Sequence, residues 1–295
     1  MPVRSGWGIS TLPQCRTLPL AGSTPVCFFK MAGRQPRSPV FARWSDRLSD
    51  VGVTLICWAY FTLGFVVFFS HRYVFAYLFS RQRETAFQRL TSRFYQGFFR
   101  LLRCIAPRHH WRIDERIAGL SSSVIVCNHL SYLDPILLIS LLERQKTIVK
   151  TKFFRVPIFG WLIRNAGYFP ADGEGAFGGM MIDQVGRMND YLAGGGNLFV
   201  FPEGTRSRDG AVGPLNRGAL KIARLCRAPI YVLHLAGTEK LFTPGKFFFN
   251  TRLNNTISLT IVDRIDQEPG RELSLAELEH RIRQALVPGD FEPAR

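Results

Sequence analysis

Asn128, His129 and Asp134 follow directly on an apolar run in the stretch VIVCNHLSYLD, residues 124–134. A histidine acts as a general base when a second group fixes its tautomer, and a carboxylate near a helix start can hold one imidazole nitrogen while the other faces a substrate. The separation of five residues suits this if His129 lies in a turn and Asp134 in the first helical turn. In a plainer interpretation, Asp134 caps a helix before Pro135, and His129 is a solvated loop residue.

A second polar loop follows another apolar run in NLFVFPEGTRSRDG, residues 197–210. Glu203 and Arg206 flank Gly204 and Thr205 there. A small residue lets a ligand approach the backbone, and a guanidinium can hold a phosphate with two hydrogen bonds. A solvated turn would tolerate the same residues, so this loop alone leaves both interpretations open.

Short apolar runs alternate with helical stretches from residue 111 onward, which predicts an α/β domain with an open mixed sheet flanked by helices. Polar loops collect at the carboxyl edge of such a sheet, so both polar loops are expected there. The expected strands are 111–117, 123–127, 146–150, 167–170, 197–201, 229–235 and 256–262. The expected helices are 134–143, 154–165, 176–193, 216–227 and 274–286, the last opened by a capping box of Ser274 and Glu277.

The N-terminal third carries a long apolar run, because residues 51–69 hold no charged residue and apolar character resumes after His71 and Arg72. Such a run is long enough to span a bilayer, which predicts an N-terminal hydrophobic membrane helix. A core helix of a soluble domain is the alternative. A helical hairpin that enters one leaflet without crossing is a further alternative, and arginines on both sides leave the orientation undecided.

The next segment, residues 83–106, has apolar residues at three- and four-residue steps and arginines between them, which predicts a basic amphipathic helix in the membrane interface. The apolar positions are Phe87, Leu90, Phe94, Phe98, Leu101 and Leu102. We therefore expect a disordered basic tail at 1–42, a membrane-anchoring and interfacial region at 43–106, and a catalytic domain at 107–295.

Composition supports a folded chain with an anionic partner, since the 295 residues are 46% hydrophobic and carry a net charge of +16. The long apolar run favours an anionic membrane surface, and no nucleic-acid recognition motif is present, so no nucleic-acid partner is expected. The six cysteines are far apart, with no histidine at ligand spacing. We therefore expect neither a metal site nor a disulfide framework.

Four sequence blocks in this order resemble the glycerolipid acyltransferase family of the lysophosphatidate (1-acylglycerol-3-phosphate) acyltransferase type. NHLSYLD is similar to the family's N-H-x-S-x-x-D block, and FPEGTRS matches its F-P-E-G-T-R-S block. KTKFFRVPIFGWLIRNAGYFPAD, between them, and APIYVLHLAG, after them, resemble its other two blocks. The resemblance covers roughly residues 110–240.

The resemblance implies a role for each matching residue. His129 would be the general base for an acceptor hydroxyl, and Asp134 would orient it and stabilise the imidazolium. No acyl-enzyme is needed, although Ser131 is close enough in sequence to keep a covalent route as an alternative, while Cys127 is expected to pack in the core. The implied substrate-binding residues are Asn128, Ser131, Lys150, Glu203, Gly204, Thr205 and Arg206.

The resemblance also implies the reaction and its partners. A fatty acyl group would pass from acyl-CoA or acyl carrier protein to the free hydroxyl of a lysophospholipid, with no cofactor. The acceptor is expected to be 1-acyl-sn-glycerol-3-phosphate, a membrane lipid. The expected location is the inner or cytoplasmic membrane, with the catalytic domain facing the cytoplasm.

One departure concerns the acceptor: where the family's second block ends in Arg, this sequence has Gly173. A cation that would contact the acceptor phosphate is therefore absent, and Arg164 or Lys152 are candidates to replace it. This departure favours another acceptor, such as a lyso-ornithine lipid. Two other classes stay open, a non-catalytic lipid-binding protein and a hydrolase using Ser131 or Cys127, although no G-x-S-x-G elbow surrounds either residue.

Overall fold

The computed structural model describes residues 39–171, 179–207, 211–267 and 273–287. The predicted disordered tail at 1–42 lies outside these residues except for its last four, which belong to the first helix, α1 (Pro39–Ala59). Gly173, at which the sequence departs from the family pattern, also lies outside them.

A seven-stranded mixed sheet is the centre of the fold, as predicted, with strand order β1-β7-β6-β2-β5-β3-β4. Only β6 and β7 pair antiparallel, and the other neighbours in this sheet are parallel. The strands are β1 (His109–Ile113), β2 (Ser123–Cys127), β3 (Gln145–Lys150), β4 (Phe169–Ala171), β5 (Asn197–Val200), β6 (Ile230–Ala236) and β7 (Asn255–Ile265). The carboxyl ends of β2, β5 and β3 therefore lie side by side at one edge.

Helices flank both faces of the sheet. A π-helical segment, Tyr60–Phe69, continues α1 into α2. Ser274 and Glu277 form the predicted capping box of the last helix. The remaining helices are α2 (Ser70–Phe79), α3 (Arg83–Ile105), α4 (Leu133–Leu141), α5 (Phe159–Asn165), α6 (Gly179–Ala193), α7 (Arg217–Leu225), α8 (Thr238–Leu241) and α9 (Leu275–Leu286).

The helix predicted over 154–165 is wrong in its first half. A single 3₁₀ turn, Thr151–Arg155, precedes α5, which begins only at Phe159. Pro157 explains the break, because proline disfavours helical backbone in the residue before it and donates no hydrogen bond. Ile158 follows with a φ of 61°, outside the helical region.

Strand β2 is buried on both faces and divides the apolar interior into two layers. Ile125 and Cys127 point to the layer that contains α3 and α4. Val124 and Val126 point to the opposite layer, which contains α6, α7 and α9. Packing on both faces holds β2 rigidly, so the position of the loop that follows it is fixed.

Helix α3 is amphipathic as predicted, but its apolar face packs into the protein and is not available to a membrane interface. Phe87, Phe98 and Leu102 are fully buried in the same layer as α4. Glu84 Oε2 also pairs with the buried Lys146 Nζ of β3 at 2.6 Å. The prediction of an interfacial helix is therefore corrected, and residue 107 does not mark a structural boundary, since Pro39 onward forms one compact unit.

The helix Leu48–Phe79 is long and apolar enough to cross a membrane, by length and composition. Tyr60 OH donates to the Phe94 carbonyl at 2.7 Å, and Tyr73 OH bonds Thr91 Oγ1 at 2.9 Å. These contacts pair the helix antiparallel with α3. The entry of such a hairpin into one leaflet stays a prediction. Its other side is exposed and apolar, at Leu55, Leu63, Val66, Val67, Phe68, Phe75, Leu78 and Phe79.

Candidate active site

A cavity of about 1080 Å³ opens at the carboxyl edge of β2, β5 and β3. Five of the nine predicted site residues line it: His129, Lys150, Gly204, Thr205 and Arg206. Its apolar wall comes from α4, α5 and the sheet, with Ile136, Ile139, Ile148, Leu162, Ile163 and Phe199. The cavity thus joins a polar rim to an apolar interior.

His129 and Asp134 form the predicted pair, with His129 Nδ1 2.9 Å from Asp134 Oδ2. Donation from Nδ1–H to the carboxylate leaves Nε2 as the free base on a ring that lines the cavity. The imidazole is only 17% exposed and stacks on Phe201, with ring centroids 4.2 Å apart. The interpretation of His129 as a solvated loop residue is therefore wrong.

The Asp134 carboxylate is fully buried and saturated with hydrogen bonds. Its Oδ2 also accepts from the backbone N–H groups of Leu130 at 2.5 Å and Ser131 at 2.7 Å. Its Oδ1 accepts from Thr238 Oγ1 at 2.6 Å. Asp134 therefore both shapes the loop before α4 and holds the imidazole. The interpretation of Asp134 as a helix cap is wrong, because it lies in the first turn of α4 and its carboxylate accepts from amides that precede the helix.

Glu203 was expected to bind the acceptor, but the structure gives its carboxylate another role. Oε1 accepts a hydrogen bond from the backbone N–H of His129 at 3.0 Å, and Oε2 accepts one from Gly213 N–H at 3.3 Å. The residue is 8% exposed and is absent from the described cavity wall. We therefore assign Glu203 to positioning His129.

Gly204 and Thr205 bring backbone to the cavity, as expected. Gly204 has a φ of 65°, a conformation that glycine adopts without the strain a Cβ atom would cause. Its amide donates to the Phe201 carbonyl at 3.1 Å and closes the turn. This turn directs Arg206 back toward the cavity.

Arg206 has the features of an anion-binding residue. Its guanidinium carbon lies 3.5 Å from the centroid of the Tyr132 ring, which fixes its plane. Its Nη1 atom is buried and has no hydrogen-bond partner among the residues that the structure describes. A buried N–H donor without a partner is costly, so an anionic ligand at this position would satisfy it.

Asn128 and Ser131, two predicted substrate contacts, are taken up by protein partners. Asn128 is buried, and its amide bridges β2 to β6 by donating to Leu235 O at 2.8 Å and accepting from Leu235 N at 2.7 Å. Ser131 Oγ donates to the Phe242 carbonyl at 2.7 Å. Neither belongs to the described cavity wall, so we correct both to positioning residues.

The two candidate nucleophiles lack the surroundings of a nucleophile. Ser131 is fully buried and its hydroxyl bonds a backbone carbonyl and not His129. Burial, reinforced by the nearby Asp134 and Glu203 carboxylates, raises the pKa of the Cys127 thiol well above its ordinary value. A thiol that stays protonated is a poor nucleophile, so the geometry does not favour a covalent route through Cys127.

Several cations at the cavity were missed or left undecided by sequence reasoning. Lys152 lines the cavity, whereas Arg164 does not and donates to the Phe154 carbonyl. Arg217 and Lys221 of α7 also line it, although they lie outside all four sequence blocks. Their spacing of four residues on one helix was the available signal, because such residues share a face.

Comparisons with known proteins agree with this geometry. A family model described as Acyltransferase matches residues 109–235. The 1-acyl-sn-glycerol-3-phosphate acyltransferase BAT2, chloroplastic, of Brassica napus is 33% identical over 164 residues, which cover 54% of this chain and 47% of that protein. The corresponding LPAT1, chloroplastic, of Arabidopsis thaliana is 36% identical over 135 residues, covering 44% and 37%. The chain thus spans about half the length, or less, of these curated relatives.

The fold also has a solved counterpart in the crystal structure of the 1-acyl-sn-glycerophosphate acyltransferase PlsC from Thermotoga maritima. The TM-score is 0.62 at 22% sequence identity, over 81% of this chain and 94% of that one. This similarity concerns the fold. The family match over residues 109–235 agrees with the span of the four sequence blocks. Residues 109–235, which carry both polar loops of the candidate site, are therefore similar in sequence to the family described as Acyltransferase.

Proposed function

We propose that the protein transfers a fatty acyl group from an acyl thioester to the free hydroxyl of 1-acyl-sn-glycerol-3-phosphate. The observation that carries the proposal is the His129–Asp134 pair, 2.9 Å apart, beside a cavity that Arg206 also lines. The names of the relatives from Brassica napus and Arabidopsis thaliana support the same acceptor.

In the proposed reaction, His129 Nε2 takes the proton of the acceptor hydroxyl while its oxygen attacks the thioester carbonyl carbon. Asp134 stabilises the imidazolium that forms, with the Nδ1–H bond already in place. The tetrahedral intermediate then collapses, the carbon–sulfur bond breaks, and the thiolate recovers the proton from His129. The products are an ester and a free thiol, and no covalent enzyme intermediate is formed.

The charge of the cavity wall favours a phosphate headgroup over the lyso-ornithine alternative. Its cations are Lys150, Lys152, Arg206, Arg217 and Lys221, and no carboxylate belongs to the wall among the described residues. A doubly charged phosphate monoester matches such a wall, whereas an ornithine amine would meet uncompensated positive charge. The apolar wall of the cavity would contact a fatty acyl chain.

The membrane assignments also belong to this proposal. The exposed apolar side of Leu48–Phe79 would enter the bilayer that holds the acceptor, at the inner or cytoplasmic membrane with the catalytic domain on the cytoplasmic side. The donor would be acyl-CoA or acyl carrier protein, arriving from water. A net charge of +16 favours an anionic lipid surface.

The test supplies detergent-solubilised protein with an acyl-CoA or an acyl carrier protein donor and a panel of lysolipids. Free thiol and the acylated lipid are measured together. We expect acceptor-dependent turnover on lysophosphatidate and a loss of about 10²–10⁴-fold in His129→Ala. Turnover that survives His129→Ala would sink the mechanism, and equal thiol release without acceptor would indicate a hydrolase.

A further inference from the structure

The loop between α8 and β7, residues 243–254, exposes two adjacent aromatic side chains. Phe247 is 57% exposed and Phe248 is 52% exposed, although neighbouring Phe249 is buried in the core. Lys246 precedes them and is also exposed. Contiguous apolar side chains on the surface indicate contact with another protein or with a membrane.

This loop lies beside the exposed side of the N-terminal helix. Phe247 stacks on Trp58 of α1, with ring centroids 5.5 Å apart and an angle of 10° between the planes. Trp58 is itself 43% exposed and lies within the candidate membrane helix. The aromatic loop and the apolar side of the helix therefore form one continuous surface.

Buried polar contacts hold the loop firmly against the helix. Asp50 Oδ1 accepts from the backbone N–H of Thr251 at 2.9 Å and from its hydroxyl at 2.7 Å. Asp50 Oδ2 accepts from Arg252 Nε at 2.6 Å, and Thr54 Oγ1 accepts from Phe249 N–H at 3.0 Å. The position of the loop is thus fixed by residues next to the apolar run.

We propose that this loop is a second membrane-contact surface, which inserts Phe247 and Phe248 into the interfacial layer of an anionic bilayer. The inference rests on the proposed membrane association of Leu48–Phe79. Continuity with that helix identifies the bilayer as the occupant, and Lys246 would pair with anionic headgroups. Aromatic side chains beside a lysine are typical of the depth at which lipid headgroups begin.

The loop also connects the membrane contact to the candidate site. The Phe242 and Phe249 rings stack, with centroids 4.6 Å apart. The Phe242 carbonyl in turn accepts the hydrogen bond from Ser131 in the loop that carries His129. Insertion of Phe247 and Phe248 would therefore fix the depth of the catalytic loop relative to the bilayer, where the acceptor lipid lies.

The experiment places one environment-sensitive nitrobenzoxadiazole label at a time on full-length protein in nanodiscs that contain phosphatidylglycerol. The background replaces Cys15, Cys27 and the exposed Cys104 by serine. The test position is Phe248→Cys, and Val67→Cys, 59% exposed on the helix, reports on membrane association itself. Leu225→Cys is the control, 45% exposed and on a helix of the opposite layer.

Spin-labelled lipids should quench the labels at 248 and 67 by about twofold or more and leave the label at 225 unaffected. Quenching at 67 without quenching at 248 would overturn the loop proposal and leave membrane association intact. Absence of quenching at both positions would overturn both. Shielding of position 248 from aqueous iodide without lipid quenching would indicate a protein partner and also overturn the proposal.

Discussion

Glu203 Oε1 accepts a hydrogen bond from the backbone N–H of His129 at 3.0 Å, which joins two polar loops that lie 74 residues apart in the chain. One loop follows β2 and the other follows β5, and these strands are parallel neighbours. The carboxylate therefore transmits the position of the β5 loop to the base. In the proposed reaction, the residue expected to bind the acceptor, Arg206, and the expected base, His129, would therefore be held in one unit.

Replacement of Glu203 by Ala should lower kcat by about tenfold to a hundredfold, because it leaves a partly buried N–H beside the base without its acceptor. KM for the acceptor should change by less than about twofold. Glu203→Gln keeps one acceptor oxygen and should recover most of kcat. Steady-state kinetics with varied acceptor decides the matter. A raised KM with unchanged kcat would return Glu203 to direct acceptor binding.

Replacement of Thr238 by Val should lower kcat by up to about tenfold, since it removes one of the hydrogen bonds to Asp134, worth about 1 kcal/mol. Thr238→Ser keeps the hydroxyl and serves as the matched control. Single-turnover rates measure the effect without product release. Equal losses in the Val and Ser variants would show that side-chain packing, and not the bond to Asp134, accounts for the effect.

Replacement of Arg206 by Lys should raise KM for a phosphate-bearing acceptor by about tenfold or more, because a single ammonium cannot provide a flat, two-pronged donor or stack on Tyr132 in the same way. Tyr132→Phe preserves the ring and should behave like the native protein. Titration of the acceptor at saturating donor gives the acceptor KM, and titration of the donor at saturating acceptor gives the donor KM. If Arg206→Lys acted on the donor KM alone, the assignment to the acceptor phosphate would be wrong.

Stability should fall as the pH drops below about 6.5, and His109 should contribute to that slope. Burial lowers the pKa of His109, against an opposing hydrogen bond to the Asn250 carbonyl and with a further lowering by His110. The folded protein thus binds fewer protons than the unfolded chain, so stability is full above the unfolded pKa and is lost as pH falls toward the folded value.

In thermal melts between pH 8 and pH 5, the His109→Gln variant should show a flatter dependence of Tm on pH than the native protein. The exposed His280→Gln variant is the control and should leave the slope unchanged. Asn255 Nδ2 lies 3.2 Å from His109 Nδ1. Protonation of His109 Nδ1 would place its N–H against the amide N–H of Asn255, so two donors would face each other. An unchanged dependence of Tm on pH in His109→Gln would show that His109 does not contribute to the pH dependence of stability.

Replacement of Tyr95 by Ala should shift donor preference toward longer acyl chains, because Tyr95 lines the cavity together with Tyr168. Its phenol is neutral near pH 7, and burial raises its pKa further, to about 12, so the ring occupies volume without charge. Competition between donors of different chain length measures the shift. Tyr95→Phe keeps the ring and should preserve the native preference.

Sequence patterns predicted the central strands well, because β2 and β6 are short apolar runs that are largely buried. The first strand was placed at 111–117 but ends at Ile113, and a 3₁₀ helix follows at Glu115–Gly119. The seven expected strands are all present, and β2 has the bounds expected of it. The interfacial role of α3 was wrong because amphipathicity reports that one face is buried and not what buries it. Pro157 was available in the sequence as a signal that the helix over 154–165 would break.

Within the site, residue types predicted the contact between His129 and Asp134, but not which polar atoms were already occupied. Glu203, Asn128 and Ser131 are held by partners distant in sequence, such as Leu235 and Phe242. Local spacing contains no information on such contacts. The same holds for Thr238, which contacts Asp134 from 104 residues away.

The bond between Asp50 and Thr251 has a consequence for how the chain is made. The two residues are separated by 201 positions, so the ribosome must add nearly the whole catalytic domain after α1 before that bond can form. At about 5–20 residues per second this takes roughly 10–40 s. Helix α3 is made soon after the apolar helix and can receive one side of it through Tyr60 and Tyr73. The loop that contacts Asp50 and Trp58 is made only at the end of that interval, so this part of the helix docks last.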